Sequence, residues 1–165
     1  MSVTVKVTID SKLPAPDKAK KLADLWLANS VLKDTAPYVP ADEDMTLTNT
    51  AKVVDGKYVE YPQIYARYVW EGKRMINAKT GRGARWVDGY GWRHPKGAKL
   101  IATEEPLHYN SSLVPDDKGG FKRVANDKAP HANATDHWLE PSKEKNLEKW
   151  MEGVLKILKG GGGGA

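Results

Sequence analysis

The 165 residues contain no cysteine, which excludes a disulfide framework, thiolate metal sites and cysteine nucleophiles together. Phenylalanine is nearly absent too: one residue, against six tryptophans and seven tyrosines. Long apolar runs are missing, and no window approaches the ~18 consecutive apolar residues that a membrane-spanning helix needs. The first residues, Met1-Ser2-Val3-Thr4-Val5-Lys6-Val7, lack the basic flank and apolar stretch of a secretory signal. No internal repeat is visible. These absences lead to the expectation of a chain made in a cytoplasm, with no membrane partner. The apolar share of 40% is enough for one globular domain with a real core, although a mean hydropathy of −0.60 leaves room for unstructured stretches.

What is present begins with charge. The formal net charge is +5, and it is unevenly distributed. Between residues 72 and 100 there are eight cations (Lys73, Arg74, Lys79, Arg82, Arg85, Arg93, Lys96 and Lys99) against one acid, Asp88. A local excess of this kind permits a polyanion or acidic-protein partner without requiring one.

The hydrophobic pattern changes period along the chain. Val3, Val5, Val7 and Ile9 alternate with Thr4, Lys6 and Thr8, the signature of a half-buried strand. Pro16 suits the start of a helix. Leu22, Leu25, Trp26 and Leu32 then keep a helical spacing, which predicts a helix over residues 17–34 with Leu22, Leu25 and Trp26 in the core. Pro37 and Pro40 end it. Residues 42–49 read as a polar loop. Ala51-Lys52-Val53-Val54 and Lys57-Tyr58-Val59-Glu60-Tyr61 flank Asp55-Gly56, the strongest two-residue hairpin signal. Ile64 to Trp70 fits neither period cleanly. Residues 73–130 are rich in glycine, proline and charge, with short strands at Leu100-Ile101-Ala102 and Phe121-Lys122-Arg123-Val124. A connection this long is an arm or a lid. Leu147, Trp150, Met151, Val154, Leu155 and Leu158 recur at helical spacing, predicting an amphipathic helix over residues 141–159 with Leu147, Trp150, Met151 and Val154 in the core. Gly160 to Gly164 form a flexible tail.

Residue types that carry chemistry are present but do not assemble into a motif. There is no Gly-x-Ser-x-Gly, and Ser111 and Ser112 lie in a polar stretch. His94, His108, His131 and His137 never fall at the i, i+4 spacing that places two imidazoles on one helix face. They read as loop residues. Glu104-Glu105 and Asp116-Asp117 are adjacent pairs, which point opposite ways on an extended chain and read as loop charge. Lys79-Thr80-Gly81-Arg82-Gly83-Ala84-Arg85 has a Gly-x-Gly but neither the spacing nor the lysine of a phosphate-binding loop. The expectation is a non-enzymatic chain with no catalytic residue, no cofactor and no metal. Cations interleaved with aromatics leave two readings of residues 73–99. One is a nucleic-acid-binding module, with Arg74, Lys79, Arg82, Arg85 and Arg93 on phosphates and bases stacked on aromatics. The other is an arm whose aromatics bury against a neighbouring subunit and whose cations meet that subunit's acids. Trp26, Trp138 and Trp150 fall on or beside helical stripes. Trp70, Trp86 and Trp92, with Tyr65 and Tyr90, are the interface candidates, since such rings bury large areas and keep a polar handle.

Several stretches, in order, resemble the small minor capsid or neck proteins of long-tailed bacteriophages, relatives of the tail-completion proteins. Leu27-Ala28-Asn29-Ser30-Val31-Leu32-Lys33-Asp34 runs into Pro37-Tyr38-Val39-Pro40. Met45-Thr46-Leu47-Thr48-Asn49 stands where the family usually has Thr-Gly-x-Leu. After the hairpin come Tyr61-Pro62-Gln63-Ile64-Tyr65-Ala66-Arg67-Tyr68-Val69-Trp70-Glu71-Gly72 and, later, His131-Ala132-Asn133-Ala134-Thr135-Asp136-His137-Trp138-Leu139-Glu140 leading into the last helix. The resemblance implies an α+β domain over residues 1–159, a small mainly antiparallel sheet covered by the first and last helices, with residues 73–130 as an insertion. It also implies a virion structural role in the neck, at the head–tail junction, assembled in the host cytoplasm. The partners it implies are copies of itself in a sixfold or twelvefold ring, neighbouring neck, portal-side or tail-terminator proteins, and genomic DNA in the lumen.

Overall fold

The alternating valines form β1 (Val3–Lys6), whose odd positions turn inward while Thr4 and Lys6 stay exposed. The computed structural model describes residues 2–9, 12–41, 46–63, 65–87, 91–109, 111–125, 131 and 133–160. α1 (Asp17–Thr35) starts after Pro16 and tightens at its end into a 3-10 turn, Ala36–Tyr38, that carries Pro37. Val39 then returns to extended backbone and is fully buried. Within the stretch read as a loop, α2 (Thr46–Thr50) is one helical turn that drops Leu47 into the core; residues 42–45 lie outside the described residues.

β2 (Lys52–Val54) and β3 (Tyr58–Tyr61) form the expected hairpin. Asp55 and Gly56 both have positive φ, 52° and 68°, and Lys57 N–H donates to the Val54 carbonyl at 3.2 Å. That is the mirror-image turn whose twist suits two strands. β3 is central: it pairs antiparallel with β2 on one side and β1 on the other, Val5 facing Val59 and Val3 facing Tyr61. α3 (Ala66–Trp70) is a single helical turn, resolving the ambiguous stretch.

The long segment after Gly72 is built from two-stranded antiparallel ribbons. β4 (Lys73–Asn77) pairs with β7 (Leu100–Pro106), and between them β5 (Arg85–Val87) pairs with β6 (Gly91–Arg93). β8 (Ser111–Pro115) then pairs with β9 (Phe121–Ala125). The two short strands read from sequence are therefore parts of β7 and β9. Ser111 and Ser112 begin β8 instead of lying in a loop. The chain closes with α4 (Leu139–Lys159), which begins two residues earlier than its periodicity predicts. The architecture is α+β, with a long helix near each end.

α4 runs antiparallel to α1, because Thr35 near the end of one meets Ser142 near the start of the other, their hydroxyls 2.9 Å apart and buried. The contact is close. α1 turns small residues inward (Ala19, Ala23, Ala28, Val31), and α4 answers with Ser142, Trp150, Val154 and Leu158. Gly153 belongs to the same fit: a Cβ there would lie 2.0 Å from the Trp26 ring. A glycine inside a helix costs about 1 kcal/mol relative to alanine, and here the indole takes the space. Beneath the helices, Val7, Val31, Val39, Val59, Tyr61, Trp138 and Trp150 share one core.

This packing corrects the core expected from large residues. Trp150 and Val154 are buried and Trp26 is half-buried, but Leu22, Leu25, Leu147 and Met151 are 40–55% exposed. On the α1 side the buried positions are small, Ala19, Ala23 and Ala28, while Leu22 and Leu25 fall on its outer flank and Leu27 and Leu32 are half-buried against the core. On α4 the buried stripe is rotated toward Trp150 and Val154.

One polar group organises the seam. Asp34 accepts from Trp150 Nε1 at 2.8 Å and from Lys149 Nζ at 2.8 and 2.9 Å. Burial raises its carboxyl, but these hydrogen bonds and the charges of Lys149 and Lys33 outweigh that and hold it below the ordinary carboxylate value.

Two outcomes are expected. Trp150→Ala costs roughly 3–5 kcal/mol in urea denaturation, as loss of a large buried aromatic does; a cost below about 1 kcal/mol would mean α4 does not pack as described. Asp34 has a depressed pKa, so its contribution is complete above the unfolded carboxylate value and is lost as pH falls through the folded one. The stability gap between the parent chain and Asp34→Asn is therefore full near pH 6 and narrows as the pH is taken down below the ordinary carboxylate value of about 3.9. A gap that stays constant on acidification would contradict the role given to the carboxylate.

Candidate functional site

Two of the stretches that carried the resemblance meet in space. α3 ends at Trp70, and the loop before α4 brings His137 and Trp138 onto it. Trp70 and Trp138 meet edge-to-face at 4.7 Å, Trp70 and His137 at 5.2 Å, and Tyr61 and Trp138 at 5.3 Å. Such pairs add to the energy of burial alone. His137 adopts a φ of 42° and donates its backbone N–H to the Trp70 carbonyl at 3.0 Å. Gly72, at φ 68°, lets Asp136 approach so closely that a Cβ would sit 2.9 Å from its carboxylate. Burial pushes the Tyr61 hydroxyl up to about 12.

Trp70 and Tyr65, the interface candidates of this stretch, are half-buried and pack in part against the chain's own core. The signal for this was the order Trp70-Glu71-Gly72, since a glycine closing a helical turn marks a sharp return of the chain, and a return brings its last aromatic inward. Trp86 and Trp92 are register partners across β5 and β6. Tyr90 lies outside the described residues.

The same junction roots the arm. Tyr68 donates its hydroxyl to the Leu100 carbonyl at 2.8 Å, Tyr109 donates to the Val69 carbonyl, and Leu107 N–H donates to the Gly72 carbonyl at 2.7 Å. Burial, and then the Asp136 charge, push the Tyr109 hydroxyl well above its ordinary value.

Along β4 and β7 the charges sort by position. At the root, Lys73 pairs with Glu104 at 3.3 Å and Arg74 with Glu105 at 2.6 Å. The two glutamates are thus strand residues with partners, correcting their reading as loop charge, and Arg74 is engaged within the chain. At the far end, Lys79, Arg82, Arg85, Lys96 and Lys99 are exposed, and none of them pairs with an acid among the described residues. The turn that presents Lys79 and Arg82 is well held: Gly81 N–H donates to the Asn77 carbonyl and Asn77 N–H to the Arg82 carbonyl, both at 2.8 Å. Arg85 and Arg93 stand opposite each other in register.

On the body, a groove of about 560 Å³ runs between β1 and the two long helices, bordered by Val5, Val7, Leu147, Trp150 and Met151. The histidines stay apart. His131 Nδ1 donates to the Val39 carbonyl at 2.7 Å, while His137 belongs to the aromatic junction. Among the described residues no three His, Asp or Glu side chains converge to hold a metal ion, and no helix is long and apolar enough to cross a membrane.

The polar groups described here cap, clamp or pair within the chain, and what is left over is surface: a basic ribbon end, an apolar groove and exposed large side chains. Residues 3–106, from β1 through β7, match the family described as minor capsid protein, and the chain belongs to that family of phage structural proteins. No curated protein and no solved structure gives a match. The matched span includes β4 to β7, so the first half of the segment expected as an insertion lies inside it, whereas the junction residues His137 and Trp138 lie beyond it.

Proposed function

We propose that the protein is a non-enzymatic component of the phage neck, forming a ring that joins the DNA-filled head, on its portal side, to the tail. Membership of the minor capsid protein family supports a virion structural role. The observation that carries the finer reading is the placement of exposed apolar side chains on unlike surfaces. Leu22 and Leu25 stand out on the body from α1, and Ile101 and Phe121, the latter 70% exposed, stand out from the ribbons. Patches that differ within one subunit favour head-to-tail contact, and head-to-tail contact that closes makes a ring. In this arrangement the arm of one subunit covers α1 of the next. Electron microscopy of a lysate from the parent phage with this gene deleted tests it. The expected picture is DNA-filled heads beside separate, finished tails; intact infectious particles would overturn the reading.

The sorting of charge along the arm favours a second reading, contact between the ribbon's far end and genomic DNA in the lumen. Cations paired at the root and open at the tip aim the positive potential outward. Binding to duplex DNA should then fall with salt at a slope near −0.9 for each phosphate neutralised, and Arg82→Ala with Arg85→Ala should flatten that slope by about 2. An unchanged slope and affinity would remove DNA as the target.

A further inference from the structure

We propose that the open edge of β1, with the apolar groove beside it, receives an extended acidic segment of a different virion protein. This rests on the reading of the chain as a virion component. Among the described residues β1 pairs with β3 alone. Val7 N–H donates to the Lys57 carbonyl at 2.7 Å, and Val5 stands opposite Val59 in the same register. Hydrogen-bonding direction alternates along an antiparallel strand. The backbone groups of Thr4, Lys6 and Thr8 therefore face away from β3, a row of donors and acceptors ready for one more strand. Strand addition of this kind takes its affinity from the main chain and its specificity from pockets for alternate side chains.

The groove supplies both pocket and charge. Leu13, Leu147 and Met151 border it and remain exposed, Met151 by 55%. Among the described residues its lining includes Lys6, Lys12 and Lys143 and no acid. An occupant that fits alternates apolar residues, turned into the groove, with carboxylates turned toward these lysines. A second copy of this chain fits poorly. The exposed leucines of α1 sit on a helix, which cannot add to a strand edge, and Phe121 is followed by Lys122 and Arg123. The paired acids of β7 are already bound to Lys73 and Arg74.

Site-specific photo-crosslinking in assembled particles tests this. p-Benzoylphenylalanine replaces Met151, whose exposure makes the change tolerable for folding; purified particles are irradiated, and the joined peptide is identified by mass spectrometry. The expected product is a net-negative, alternating apolar and acidic segment of another virion protein. Its yield falls about tenfold when Lys6→Glu and Lys143→Glu, both exposed, are added. Three outcomes would overturn the inference: a crosslink to a second copy, a crosslink to a segment without acids, or no crosslink from particles that contain the chain. Particles that lack the chain altogether would instead remove the virion reading, and this inference with it.

Discussion

The antiparallel contact of α1 with α4 holds the molecule together, because it joins residues more than a hundred positions apart and closes the core from above. Its closeness dictates which side chains are allowed. Alanines line one helix, Gly153 yields to Trp26 on the other, and Asp34 accepts from the Trp150 indole across the seam. The sheet beneath is small, three short strands, and has little to bury against except these helices. Without the seam, Val31, Trp138 and Trp150 would lose the neighbours that make them a core.

Some of this was legible in the residues and some was not, for identifiable reasons. Strict alternation over Val3 to Ile9, the Asp55-Gly56 turn and the periodicity around Trp150 each carry a local physical cause, and each element is present. The inward face of α1 was missed because large leucines dominate a periodicity reading, while the packing selects for small size. The ring contacts of Trp70 are not legible in sequence because its partners, His137 and Trp138, come from far along the chain. The same distance hid Glu104 and Glu105: adjacent acids look like loop charge until the β4–β7 register sets them beside Lys73 and Arg74. Local signals survive in sequence, whereas long-range pairing has to be seen.

The division between body and arm follows from where the hydrogen bonds go. The root of the arm is fastened to α3 through Tyr68 and Leu107, while β5–β6 and β8–β9 satisfy their backbone mainly across their own ribbons. Two-stranded ribbons are marginal alone, and they gain most from a surface that covers them. Phe121 and the cations near the Asn77 turn stand exposed on this less covered part of the molecule.

The two outer strands of the sheet, β1 with four residues and β2 with three, are short, and each bears an exposed lysine, Lys6 and Lys52. Short edges that carry a charge resist pairing with their own kind. On β2 that charge is matched by Glu60 across the register, 3.4 Å away, so the unmatched lysine among the described residues of the two edges is Lys6 of β1. Two β1 edges brought together would set like charges against each other over few hydrogen bonds, which disfavours pairing of this strand with its own kind.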